Sequence, residues 1–244
     1  MNSVETKLQY TVRKDIESGI PVIIAAAGSS SRMGGTDKLR SNICGIPVLA
    51  RTLLAFENCD AISRIIIAVR PSDTENVLET AKKYMITKLN DVVEGGESRQ
   101  DSIGRCLDRL TDSDEKVLIH DGARPLVSNR VIKNVVNALR NNAAVTCAVR
   151  VKDTVKRVDG LGTVKDTLNR DELVAVQTPQ GVSVDEYRNA VKKAGNLGVF
   201  TDDMSIMEAC GHKVITVDGS YRNIKITTPE DLAVAEALLH TGDE

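Results

Sequence analysis

The sequence predicts an α/β protein with a mostly parallel sheet and helices on both faces. Short apolar runs rich in β-branched residues recur along the chain, amphipathic helical patterns lie between them, and loops rich in Gly or bearing Asp follow the runs. In sheets of this kind ligands sit beyond the carboxyl ends of the strands. Those loops are therefore where function is sought.

Residues 1–19, MNSVETKLQYTVRKDIESG, alternate charge and apolarity without a strong period and read as an N-terminal extension outside the core. No repeat or low-complexity linker divides the remainder of the chain, so residues 20–240 read as a single domain. The run Pro21 to Ala27, bounded by Gly19 and Gly28, reads as the first buried strand. Similar runs occur at Ile65 to Val69, Val117 to Ile119, Val145 to Val149 and Val214 to Val217. Ser72 and Glu75 form a capping-box signature before Val77, Leu78 and Ala81, and Thr228, Pro229 and Asp231 start a helix toward Leu239. Residues 149–170, VRVKDTVKRVDGLGTVKDTLNR, depart from the βα pattern and read as a hairpin around Asp159 and Gly160. Too polar to form a core alone, this hairpin fits either a surface flap or a dimer arm.

Composition excludes several functions. The 244 residues are 41% hydrophobic, enough for a sizeable core, and the formal charge of -2 gives no global attraction to nucleic acid or an anionic membrane. Trp is absent and Phe occurs twice, which removes the stacking platform of single-strand nucleic-acid binders. No stretch reaches membrane-span length and no secretory leader is expected, so a cytoplasmic location is expected. Cys44, Cys59, Cys106, Cys147 and Cys210 lack the close pairing of zinc or redox motifs and read as buried thiols.

Any anion must then be caught locally. In AAAGSSSRMGGTDKLR, residues 25–40, small residues at Gly28 to Ser31 would let backbone N–H groups approach phosphate oxygens, with Arg32 and Lys38 adding positive charge. Met33 breaks the P-loop pattern and Ser30 breaks the dinucleotide fingerprint, so ATPase and nicotinamide readings weaken. The same loop could also be a Ser/Gly-rich turn with exposed cations. EGGESRQDS, residues 94–102, places two glycines and an Arg before a helix start, a second place for backbone donors to meet an anion or a base edge. VLIHDGARP, residues 117–125, ends a strand on Asp121, which could meet Mg²⁺ on a triphosphate, accept a ribose hydroxyl or cap its own turn. His120 reads as structural, because no second His stands near it.

Read with TLNRDELVAVQTPQ (167–180), TDDMSIME (201–208) and NIKITTPEDLAVAEALL (223–239), these segments resemble the cytidylyltransferases that act on 2-C-methyl-D-erythritol 4-phosphate. The motifs keep the family's order over residues 20–240. The resemblance implies a Rossmann-like nucleotide-diphospho-sugar transferase fold with a projecting β-arm at 149–170, homodimers formed through that arm, and transfer of CMP from CTP with Mg²⁺ on the triphosphate. It further implies that Ala26, Ala27 and Gly28 hold the nucleotide, that Gly96, Arg99 and Ser102 lie at the cytosine-reading segment, and that Asp121 lies near ribose and phosphates. Arg32 and Lys38 become the transition-state cations. Arg170, Thr178, Thr201 and Lys225 become residues that position the acceptor, with Arg170 and Thr178 presented by the partner's arm.

Two departures stand out: Ser30 replaces a glycine usual in the family's loop, and Lys38 stands one position closer to Arg32 than is most common. That spacing also occurs in related guanylyltransferases, and a ribitol 5-phosphate relative is close in chemistry, although GGESRQDS and TLNRDEL look less like it. A non-catalytic nucleotide-binding module would be expected to lack Arg32, Lys38 or Asp121, and all three are present. From pattern alone Lys225 could face solvent on a strand, and Thr201 could cap a helix.

Overall fold

The structure, a computed structural model, describes residues 19–28, 37–195 and 200–242. The expected extension up to residue 18, Ser30, Arg32 and Met33 lie outside the described residues.

Strand β1 (Ile20–Ala26) pairs in parallel with β4 (Ile62–Val69) on one side and β6 (Lys116–Asp121) on the other, and β5 (Leu89–Glu94) extends the parallel set beyond β4. Between β1 and β4 come the short ribbon β2 (Asn42–Ile43) and β3 (Ile46–Pro47) and helix α1 (Val48–Glu57). Helix α2 (Thr74–Lys83) links β4 to β5, and α3 (Arg99–Leu107) carries the chain from the β5 edge back to β6. Past β6, α4 (Asn129–Leu139) leads to β7 (Ala144–Arg150). The arm, β8 (Lys156–Val158) and β9 (Val164–Thr167), precedes β10 (Val174–Ser183), α5 (Val184–Ala194), α6 (Asp203–Ala209), β11 (Val214–Asp218) and α7 (Pro229–His240). The sheet order is β11-β7-β10-β6-β1-β4-β5, with β10 antiparallel to both neighbours. The direction of winding reverses between β1 and β6, which opens a crevice at their carboxyl ends.

Continuous apolar strands arise because both faces are covered. Ile24, Ile65 and Ile67 pack toward Leu53, Phe56 and Val135, whereas Ile23, Ile66 and Ala68 pack toward Ile103, Cys106 and Met207. The period of two sends alternate residues into two separate cores. Among the described residues, no helix is long and apolar enough to cross a membrane.

Local chemistry departs from expectation at several points. The Thr228 capping box forms with Asp231. The Ser72–Glu75 box does not: a 3-10 turn at Pro71–Asp73 precedes α2, whose cap residue Asp73 gives its carboxylate to Arg70 and Arg40 instead. In the arm, the left-handed residue is Gly162 (φ +83), and the Asp159 carboxylate accepts from the N–H groups of Leu161 and Thr163 at 2.9 Å each. Cys59, Cys106 and Cys147 are buried, but Cys44 is exposed and Cys210 half-buried, because both sit on turns at element ends.

Replacing the fully buried Ile66 by Ala leaves a cavity between β4 and α3. The unfolding free energy should fall by about 2–5 kcal/mol, seen as a lower urea midpoint at an unchanged m-value.

Candidate active site

The crevice is built from strand ends. Ala26 closes β1, followed by half-buried Ala27 and exposed Gly28. Gly95 follows β5 and lies against Ala27 so closely that an added Cβ would stand 2.2 Å from the Ala27 Cβ. Gly96 is equally constrained, its Cβ position lying 2.3 Å from that of Asp101. These two glycines let the second loop fold tightly between β1 and the start of α3. Ser98 and Asp101 cap α3 reciprocally at 3.0 Å each. Buried Ser102 accepts from the Gly96 N–H at 3.0 Å and donates to the Ser98 carbonyl at 2.9 Å, so its hydroxyl shapes the loop.

Asp121, the last residue of β6, is the electrostatic centre. Lys225 Nζ lies 2.9 Å from its Oδ2, Arg124 Nε 3.3 Å from the same oxygen, and Arg99 Nε 3.7 Å from Oδ1. Burial pushes the Asp121 carboxyl up, but Lys225, Arg99 and Arg124 pull harder, and it stays well below the usual carboxylate range. Arg99 also donates to the fully buried Asp203 at 2.8 Å, and Asp203 accepts the Tyr187 hydroxyl at 2.5 Å. Burial works against the Arg99 charge, and Asp203 and Asp121 more than restore it. Burial and the Asp203 carboxylate also hold the Tyr187 phenol in its protonated form. Three cations, Arg99, Arg124 and Lys225, thus face two carboxylates, Asp121 and Asp203, a formal excess of one positive charge.

Behind Asp121 runs a directed chain of hydrogen bonds. The Arg124 carbonyl can only accept, so His120 Nε2, 3.3 Å away, carries the proton and donates. The bare Nδ1 accepts the Thr178 hydroxyl at 3.0 Å, and the Thr178 oxygen accepts the Asp121 N–H at 3.1 Å. Phe56 packs edge-on against the imidazole, with centroids 4.8 Å apart. Burial lowers the His120 pKa from 6.5 to about 3, so the ring is neutral, as a structural His should be.

The expected site residues are brought together only in part. Lys225 and Arg99 converge on Asp121, which pairs in register with Ala25 and is followed by Gly122, whose backbone lies against Ala26. Thr178 lies inside β10, buried and bonded to His120, rather than on the arm. Exposed Thr201 immediately precedes Asp202, which caps α6, so Thr201 is not the cap. Arg170, also exposed, sits at the foot of the arm and donates to the Lys152 carbonyl at 3.1 Å. Lys38 is half-buried on the turn before β2. Arg124, which no periodicity marks, also donates to the Asn223 carbonyl at 2.8 Å and joins the Lys225 segment to β6. Asp203 is equally unmarked, except as the second of two consecutive acids before a helix.

A doubly wound sheet whose carboxyl edge gathers Gly-rich backbone and clustered cations is the frame of a nucleotide-binding α/β protein of Rossmann-like class. Residues 20–241 match the family described as IspD, 2-C-methyl-D-erythritol 4-phosphate cytidylyltransferase, and the chain belongs to that family. The chain is 45% identical over 223 residues to the 2-C-methyl-D-erythritol 4-phosphate cytidylyltransferase of Bacillus mycoides, covering 90% of this chain and 97% of that one. It resembles the crystal structure of 4-diphosphocytidyl-2C-methyl-D-erythritol synthase from Anaerococcus prevotii with a TM-score of 0.81, at 36% identity over 91% of this chain and 99% of that one. The Thermus thermophilus cytidylyltransferase structure gives a TM-score of 0.74 at 30% identity, over the same shares of each chain.

The His120 geometry has a pH signature. The unfolded imidazole takes up a proton near pH 6.5 and the folded one only near 3, so its contribution is complete above 6.5 and lost as pH falls toward 3, by up to about 1.4 kcal/mol per pH unit. Nitrogen NMR should find one imidazole held as the Nε2–H tautomer, with no titration between pH 5 and 9. Titration of this imidazole within that range would contradict the assignment.

Proposed function

We propose that this chain transfers the cytidylyl group from CTP to the phosphate of 2-C-methyl-D-erythritol 4-phosphate, releasing pyrophosphate, in isoprenoid synthesis. Family membership over residues 20–241 carries the reading. An acceptor phosphate oxygen attacks the α-phosphorus and forms the new P–O bond. The bond from that phosphorus to the bridging oxygen breaks, and pyrophosphate leaves with the electron pair.

The acceptor phosphate is already ionised near neutral pH, so no general base is needed; the barrier is anion approaching anion. Arg32 and Lys38 stabilise the charge growing on the α-phosphate and the leaving group. Arg170, Lys225, Thr178 and Thr201 position the acceptor, with Thr178 acting through the His120 and Asp121 backbone it orders. Ala26, Ala27, Gly28, Gly96, Arg99 and Ser102 form the nucleotide side. Exposed Val158, Leu161 and Val164 on the arm favour a homodimer in which the arm carries Arg170 toward the partner's crevice. A cytoplasmic location accords with the buried free thiols at Cys59, Cys106 and Cys147.

Mg²⁺ belongs to this reading as part of the CTP substrate. Among the described residues no cluster of three or more His, Cys, Asp or Glu side chains offers a cage, and Asp121, already facing three cations, makes a poor sole ligand.

Pyrophosphate release, tested with four nucleoside triphosphates against methylerythritol phosphate, ribitol phosphate and no acceptor, should require CTP and methylerythritol phosphate together. Equal release with ribitol phosphate would displace the acceptor assignment. Arg170→Ala should lower kcat/KM for the acceptor on the order of 10²-fold and leave CTP binding little changed. Mixing Arg170→Ala with Lys38→Ala subunits should restore activity that neither has alone.

A further inference from the structure

Lys38 is bracketed by a closed ring of four charges. Asp37 pairs with Arg70; Arg70 Nε donates to Asp73 Oδ2 at 2.6 Å; Arg40 Nη2 donates to Asp73 Oδ1 at 2.7 Å; and Arg40 Nε lies 3.7 Å from Asp37 Oδ2. Asp37 and Arg40 flank Lys38 in the chain, whereas Arg70 and Asp73 stand on the turn just past β4. Each carboxylate meets both guanidinium groups, so neither side of the ring can shift alone.

The backbone is tied as firmly. Asp37 Oδ1 accepts from the Leu39 N–H at 3.1 Å, and the Asp37 carbonyl accepts from the N–H groups of Arg40 at 3.0 Å and Ser41 at 3.1 Å. Leu39 is buried, and its carbonyl accepts the Leu49 N–H at 3.1 Å. Lys38 therefore leaves a main chain held on both sides, which limits how far the base of its side chain can move. Asp37, Arg40 and Asp73 share the lining of a cavity of about 120 Å³ with Ala26 and Val69, which locates the ring at the carboxyl ends of β1 and β4.

We infer that Arg70 is a positioning residue for Lys38: through Asp37, with Asp73 and Arg40 completing the ring, it fixes the turn from which the lysine reaches the reacting phosphates. The inference rests on the proposed role of Lys38 as a transition-state cation. Only Arg40 of the ring is exposed, Arg70 and Asp37 being half-buried and Asp73 buried, so breaking the ring costs some stability, and its effect on turnover is geometric. A misplacement of the order of 1 Å costs up to about 10²-fold in rate.

The test uses the full chain with Arg70→Gln, Arg70→Lys and Asp37→Asn, each made alone and in a Lys38→Ala background, with kcat and both KM values read from pyrophosphate release. Arg70→Gln and Asp37→Asn should lower kcat by about 10- to 100-fold with both KM values nearly unchanged. Arg70→Lys, which keeps the charge but loses the two-pronged contact, should fall between them and the parent. In the Lys38→Ala background the same changes should alter kcat less than about twofold, because the ring would act only through the missing lysine. Parental turnover in Arg70→Gln beside a disabled Lys38→Ala would overturn the inference. So would equal losses from Arg70→Gln in both backgrounds, which would mark a general structural role. Parental turnover in Lys38→Ala itself would remove the role of the lysine, and with it anything to position. Should Arg70→Gln fail to fold by circular dichroism, Arg70→Lys and Asp37→Asn carry the comparison.

Discussion

A single carboxylate at the end of a central strand must satisfy three cations drawn from three other stretches of chain. Asp121 is 8% exposed, and its charge survives there because Lys225, Arg124 and Arg99 surround it. Lys225 comes from the stretch before α7, Arg124 from the turn after β6 and Arg99 from the first turn of α3. Through Lys225 and Arg99 the carboxylate thus joins segments that are remote in sequence, and Arg99 extends the link to Asp203 at the head of α6. Three cations against two carboxylates leave this group with a formal excess of one positive charge. A protein with a formal charge of -2 thus carries a local positive field at this strand end, as the proposed function requires.

Sequence pattern conveys the parts of this arrangement that are local. The apolar strands, the second capping box, the hairpin and the loops beyond β1, β5 and β6 all leave a signal within a few residues. β10 does not, because Gln177, Thr178 and Gln180 occupy buried positions in mid-sheet and a register shift breaks the alternation. The polar side chains are tolerated because each has a partner: Gln177 with Ser220, Thr178 with His120 and Gln180 with Asp202. The Ser72–Glu75 signature misleads for a related reason. Asp73 is claimed by Arg40, 33 residues away, and a tertiary charge contact overrides a local cap. Arg124 and Asp203 are invisible to pattern reading because their significance lies wholly in the groups they face. Of the two cations proposed to act in the transition state, Arg32 lies outside the described residues, while the setting of Lys38 depends on pairings across 33 residues.

The hydrogen-bond chain behind Asp121 explains why the cations can remain available to a substrate. An isolated pair of Asp121 and Lys225 would oppose binding, since a phosphate would have to break the pair and leave a buried carboxylate uncompensated. Here Arg99 and Arg124 continue to face Asp121 whichever way Lys225 turns, and the Thr178 hydroxyl orders the peptide that carries it. Neutral His120 matters to the same balance: a proton on Nδ1 would remove the acceptor for Thr178 and add a fourth cation beneath the strand end. Under the proposed function, Lys225, about a third of its side chain exposed, would be shared between the carboxylate and an incoming phosphate at little reorganisation cost. In the proposed reaction, charge placed in advance in this way would favour a transition state in which two anions are drawn together and negative charge shifts onto the leaving pyrophosphate.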